Sequence, residues 1–363
     1  MRKLLTILVL LVTINCSAQQ QTQKDSTVEE LVSIRPIPPP DTATKFIVYR
    51  NNQINKRLRN KIKNLNDTLL SAYLDNDTSK LHSMYSDRSK IQLANFKSLE
   101  ESFPSPVFKV ERYTDITEKR YRVLDEFSYR SNEIGKVGVI VKDSTSGNGY
   151  KFKFFITQKN TYISLLICPG ENREFLLASV YCKYGNTWKM EFYAVLPYSI
   201  KGITAVDFYK LARQYYGKGY LLDTYNNIIL SARTISPFPQ SFNYTELPAM
   251  KKFEAEVFKE MAEKYPMPIK LSKIPTMPEI VYVSPFTASN GIFTSITYIT
   301  KIPLQNTAEL TAENEEIKKI LVELFPGIEK GKKYVYLKAL NELPSVTKKT
   351  VQSYGFILRG DSE

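Results

Sequence analysis

The sequence predicts an α+β protein: a curved antiparallel sheet with N-terminal helices, a helical hairpin, then a second, smaller α+β unit. Three observations predict it. Apolar residues recur at steps of three and four over residues 52–74 and again over 204–233, which is the spacing of one helix face. Between these helices, from Phe108 to Leu196, short runs rich in β-branched and aromatic residues alternate with turn formers, as in antiparallel strands. After Pro239, helix-spaced and strand-like segments follow one another a second time.

The chain opens on Arg2 and Lys3, then the apolar run LLTILVLLVTI from Leu4 to Ile14, then Asn15-Cys16-Ser17-Ala18. A positive start, a short apolar centre and a small-residue exit read as an export signal over residues 1–18. The apolar run falls short of the ~20 residues a membrane-spanning helix needs. Two exits are open. Cys16 is a lipidation candidate, although Thr13 and Asn15 fit a lipoprotein cleavage site poorly; alternatively, cleavage follows Ala18. The expected location is the outer membrane as a lipoprotein, or the periplasm. Residues 19–45 are polar with Pro36, Pro38, Pro39 and Pro40 clustered, a composition that cannot bury a core and that reads as a disordered tether.

Three folded segments are expected: an α+β domain over 46–200, the helical hairpin over 201–239, and a C-terminal α+β domain over 240–363. In the first helix, Ile54, Leu58, Ile62, Leu65 and Leu69 share a face, while Lys56, Arg57, Arg59, Lys61 and Lys63 decorate its first half. Those five cations are candidates for contact with a membrane or another anionic surface. Asp77 is placed to cap a second helix over 78–85. Strands are expected over 108–116, 120–129, 136–142 and 150–157. A meander over 162–168, 175–184 and 187–196 follows, with a tight turn at Gly185-Asn186. Strict alternation in its last strand puts Trp188, Met190, Phe192 and Ala194 under the helices, with Lys189, Glu191 and Tyr193 on the other side.

The stretch LLSAYLDNDTSKLHSMYSD, residues 69–87, together with Gly185-Asn186-Thr187-Trp188-Lys189, resembles the nuclear transport factor 2-like superfamily over about 150 residues. The resemblance implies a cone-shaped pocket between the curved sheet and its helices, used by some members for ligands or acid–base chemistry. Glu191 and Tyr193 are the candidate pocket residues. Residues 103–160 are longer than such a domain needs. In the second region, Tyr209, Leu211, Ala212, Tyr215, Ile228, Ala232 and Pro237 resemble a single tetratricopeptide-like helix pair; one such unit is too few for a solenoid. Further helices are expected over 247–264 and 314–325, and strands over 269–274, 280–283, 291–302, 333–340 and 351–358.

Composition restricts the chemistry. The only histidine of the 363-residue chain is His82, so no histidine-based triad or zinc cluster can be assembled. No glycine-rich phosphate loop occurs. Ser345 and Lys348 have S-x-x-K spacing but lack its companion motifs. Thus no catalytic residue, metal or cofactor is assigned. The net charge is +13. With an export signal, that charge points to an envelope protein, a glycan or an anionic lipid surface as partner, and away from nucleic acid. If the hairpin of 162–184 is in simple register, Cys168 and Cys182 lie too far apart for a disulfide, and two buried free thiols are expected. A non-catalytic envelope binding or scaffold protein is the first expectation. A small-pocket isomerase or hydrolase, and an envelope assembly factor, are the alternatives.

Overall fold

The computed structural model describes residues 46–93, 116–143, 148–235, 241–330, 334–346 and 348–359. The export signal with Cys16, the proline-rich tether, nearly all of the strand expected over 108–116, and residues 236–240 at the end of the expected hairpin lie outside the described residues. Two compact units are distinguished: Met1–Thr44 with Glu342–Gln352, and Lys45–Asn341 with Ser353–Glu363. In the first, the described residues form a turn in which the Lys348 N–H donates to Ser345 Oγ at 3.0 Å and the Lys348 ammonium pairs with Glu342.

The second unit is mixed α+β and holds a strongly curled, six-stranded antiparallel sheet. Its order is β1 (Phe46–Arg50), β2 (Arg122–Ser131), β5 (Asn160–Pro169), β6 (Arg173–Tyr184), β7 (Thr187–Ile200) and β8 (Ile203–Thr204). β5 and β6 read as continuous apolar runs because both of their faces are covered, so alternation disappears.

One face carries α1 (Lys56–Leu74) and α2 (Thr78–Met84). Asn55 caps α1 by accepting from the amides of Arg57 and Leu58, and Asp77 caps α2 by accepting from Lys80. Ile62, Leu69 and Leu70 of α1 meet Tyr162, Phe175, Tyr181 and Met190 in a dry core. Inside it Asn66 is a polar centre bonded through both its amide nitrogen and its carbonyl. Its amide donates to Ser164 Oγ at 3.0 Å, and its carbonyl accepts from Ser179 Oγ and Tyr181 OH at 3.0 and 2.9 Å.

The other face is covered by a second, three-stranded sheet of β3 (Val137–Lys142), β4 (Tyr150–Phe155) and β9 (Phe242–Tyr244). Phe152, Phe154, Tyr150 and Phe242 pack there on Ile163, Leu165, Leu176 and Leu196. Phe154 lies flat over Gly138, where an added Cβ would come within 2.4 Å of its ring. β1 and β9 are strands that the periodicity does not anticipate: one follows the proline tract and the other has three residues.

Helices α3 (Ala205–Gly217) and α4 (Leu221–Thr234) form the expected hairpin. Ala205 and Val206 belong to the core under the three-stranded sheet, while Ala212, Leu222 and Ile228 belong to the next one. That core lies on a five-stranded sheet of β10 (Ile269–Lys270), β11 (Glu279–Ala288), β12 (Gly291–Ile299), β13 (Tyr334–Leu340) and β14 (Tyr354–Arg359). Only the β12–β13 pair is parallel, and α6 (Thr307–Leu324) is its crossover. α5 (Leu247–Lys264) supplies Phe253, Val257 and Met261 to the same core. α6 starts earlier than its apolar pattern, because Asn306 caps it by accepting from the Glu309 amide before the apolar stripe begins. The strand expected over 269–274 shrinks to two residues.

The cysteines have the geometry expected of free thiols. Cys168 pairs with Phe175 in the β5–β6 register, and Cys182 lies opposite Thr161 near the other end of the hairpin. Both are buried and free. Burial pushes the Cys168 thiol up to about 12 and raises that of Cys182. In the native protein neither should react with Ellman's reagent near about pH 8, and both should react once the chain is unfolded in urea. Fast native reaction of either would contradict this packing.

Candidate functional site

β7 carries the irregularity that makes a site. Val180 pairs with Phe192 but Tyr181 pairs with Met190, so Glu191 is an extra residue in a β-bulge. The bulge inverts the alternation of the strand. Trp188, Met190 and Tyr193 face α1 and α2, with Tyr193 set against Tyr73 and Tyr85 at 6.2 Å each. Phe192 and Ala194 face the three-stranded sheet instead. Strict alternation, which groups Phe192 and Ala194 with Met190, is therefore corrected at one residue. Of the two candidate pocket residues, Glu191 lines a cavity and Tyr193 lies on the opposite face of the sheet.

The cavity is a half-open cleft of about 350 Å³, within the range of ~300–1,000 Å³ typical of small-molecule sites. Register explains where it opens. β9 pairs with β4 only as far as Phe152, and the Lys153 amide then donates to Ser241 O. Beyond that point the second half of β4 has no strand on this side among the described residues. The gap is bounded by Phe154 and Phe155 of β4, by Val180 and Phe192 of the large sheet, and by Ser241. Its remaining side is a helical stretch, residues 87–93. The chain reaches that stretch across the free edge of β7, where Tyr85 bridges Met190 and the Ser86 amide donates to Met190 O. This stretch contributes Arg88 and Gln92.

The polar groups are unevenly satisfied. Glu191 has both carboxylate oxygens occupied: Ser89 Oγ donates at 2.9 Å and Tyr184 OH at 2.6 Å. Burial, followed by this bond to Glu191, raises the Tyr184 hydroxyl above its usual range. Thr157, which also lines the cavity, donates its hydroxyl to Cys182 Sγ at 3.1 Å. By contrast, Arg88 and Lys153 have no ion-pair partner among the described residues. Arg88 rests over the Phe155 ring at 5.0 Å. Among the described residues the site therefore presents two cations without ion-pair partners beside an apolar aromatic wall, with its one acid already engaged.

The five cations of α1 are dispersed. Arg59 pairs with Glu126 at 3.3 Å, Lys63 with Asp67 at 2.7 Å, and Lys61 donates to Asn186 O at 3.2 Å. Lys56 and Arg57 are exposed. His82 is exposed in the last turn of α2, and no metal-binding cluster of His, Cys, Asp and Glu occurs among the described residues. No helix among the described residues is long and apolar enough to cross a membrane. Arg88 and Lys153 escape sequence reasoning because they are 65 positions apart and neither belongs to a motif. Their unpaired state depends on which neighbours the fold provides. A comparison with protein-family models, with curated proteins and with solved structures finds no match for this chain.

Proposed function

We propose that this chain is a non-catalytic binding protein of the cell envelope, carried out of the cytoplasm by its leader, whose cavity takes an anionic ligand with an apolar body. The observation that supports this reading is a pair of cations without ion-pair partners among the described residues, Arg88 and Lys153, beside Phe154, Phe155 and Phe192. Lys153 is half-buried and Arg88 is exposed, so both are free to make charge-assisted bonds with a ligand anion. The aromatic wall suits the apolar part of the same molecule. An acid–base enzyme needs a free carboxylate or imidazole in reach of its substrate. Glu191 is held by two hydroxyl donors, which suits a group that shapes the wall of the cavity. The resemblance to nuclear transport factor 2-like domains agrees with a binding role, as does the overall charge of +13, which draws anions toward the surface.

Anilinonaphthalene sulfonate, an anion on an aromatic body, is a suitable probe. Its fluorescence should rise saturably with the native protein. The double variant Arg88→Ala/Lys153→Ala should bind it about ten-fold more weakly, the loss expected for removing ~1.4 kcal/mol of charge-assisted contact. Lys56→Ala/Arg57→Ala removes the same formal charge from α1 and should leave the affinity unchanged. Equal losses in both variants, or none in the first, would overturn the assignment.

A further inference from the structure

Residues 86–93 form one side of the cavity without an apolar anchor. The stretch leaves the edge of β7 at Tyr85, and its short helix over residues 87–93 brings Arg88 and Gln92 to the lining. Ile91 and Leu93, its two large apolar side chains, are exposed at 63 and 43%. None of its residues belongs to a hydrophobic core among the described residues. Its two buried residues are serines, Ser86 and Ser89. Among the described residues, then, polar groups fasten this helix to the body. They converge on the β7 bulge. The Ser86 amide donates to Met190 O at 2.9 Å, and Ser86 Oγ accepts from the Ser89 amide at 3.1 Å, which closes the first turn. Ser89 Oγ then donates to the carbonyl and to the carboxylate of Glu191, at 3.2 and 2.9 Å. Tyr184 OH holds the other carboxylate oxygen at 2.6 Å. The extra residue of the bulge is thus the one that grips the helix.

Arg88 is the neighbour of the gripped serine. Successive side chains of a helix are turned by about 100° from one another, so holding Ser89 against Glu191 also fixes the direction of Arg88, whose guanidinium lies over the Phe155 ring. We propose that the Ser89–Glu191 bond is a latch that holds residues 86–93 on β7 and seats Arg88 at the cavity. Glu191 is then a positioning residue, acting on the ligand through Ser89 and Arg88. The ligand-dependent part of this proposal rests on the cavity reading given above. An anion held by Arg88 and Lys153 bridges the same helix to β4. Latch and ligand therefore favour one position of the helix, and each strengthens the other by the same factor.

Two readouts separate the latch from the cavity. Hydrogen exchange at the Ser86 and Lys90 amides, which donate to Met190 O and Ser86 O, reports the helix with no ligand present. Ser89→Ala should speed that exchange about ten-fold. Glu191→Ala should speed it less, because the backbone carbonyl of residue 191 still accepts from Ser89. Affinity for anilinonaphthalene sulfonate should fall about five-fold in Ser89→Ala, the loss of roughly one hydrogen bond. In an Arg88→Ala background the same substitution should cost nothing further. Glu191→Gln and Glu191→Ala remove the same charge, but glutamine keeps an acceptor for Ser89, so the glutamine variant should bind the sulfonate more tightly than the alanine variant. Unchanged exchange in Ser89→Ala would overturn the latch, whatever the cavity binds. Additive losses from Ser89→Ala and Arg88→Ala, or equal binding by the two Glu191 variants, would overturn the positioning role. If Arg88→Ala binds the sulfonate as tightly as wild type, the cavity reading falls instead, and exchange alone decides the latch.

Discussion

Replacing Asp125 by alanine is expected to lower the stability of the folded unit by about 3 kcal/mol near neutral pH, the lower part of the range for breaking a buried ion pair. Asp125 is 1% exposed. It accepts from Arg50 Nε and Nη2 at 2.8 and 2.5 Å, from Asn51 Nδ2 at 3.0 Å and from Tyr150 OH at 2.7 Å, with Lys142 Nζ at 3.4 Å. This carboxylate thereby ties β1, β2, β3 and β4 together. Alanine leaves a guanidinium, an ammonium and a buried phenol without their acceptor. Arg50 is 38% exposed and regains water, which is why the lower figure applies. Burial alone would raise the Asp125 carboxyl, but the hydrogen bonds from Tyr150, Arg50 and Asn51 and the nearby Lys142 outweigh it and hold the carboxyl below 3.8. A lowered folded value means that this contribution is complete above the unfolded carboxyl range. It is lost as pH falls through the folded value. Urea unfolding of wild type and Asp125→Ala should therefore differ most at neutral pH and converge as pH falls through the folded value. A constant difference across that range would contradict this role.

Asn66→Leu is the second large effect, expected to cost about 3 kcal/mol even though it puts an apolar side chain into a core. Leucine can neither donate to Ser164 nor accept from Ser179 and Tyr181, so three buried hydroxyls lose their shared partner. Coupling identifies the cause. Tyr181→Phe alone should destabilise wild type by about 1 kcal/mol, yet cost little or nothing in the Asn66→Leu background, where the phenol is already orphaned. Additive losses in denaturant unfolding of the double variant would show that size, and not the lost acceptor, explains the effect.

Most of the helices and the meander were legible because each buries one face, and the period of that face appears in neighbouring residues. Ile62, Leu69 and Tyr73 mark α1 in this way, and Asp77 marks the start of α2. What escaped was set by contacts distant in sequence. The strand expected over 120–129 contains the adjacent acids Asp125 and Glu126, and nothing local announces that either is buried. Asp125 and Glu126 are nevertheless buried, the first by Arg50 and Tyr150 and the second beside Arg59. Glu313 is another buried acid, accepting from Thr276 and Thr300 on segments that α6 alone does not reveal. The candidate site was half legible. Glu191 was correctly separated from the helix-facing residues, but the bulge it forms sends Tyr193 back among Tyr73 and Tyr85. One inserted residue reverses the facing of everything after it, and no residue type in Lys189-Met190-Glu191-Phe192 announces that insertion.

The account turns on Arg88 and Lys153 beside the β7 bulge, two cations without ion-pair partners among the described residues, and a crystal structure of the protein with bound anilinonaphthalene sulfonate tests them most directly. The sulfonate is predicted within hydrogen-bonding distance of the Arg88 guanidinium and Lys153 Nζ, with the aromatic body against Phe192. A probe seated elsewhere, with this cavity holding only water, would contradict the assignment.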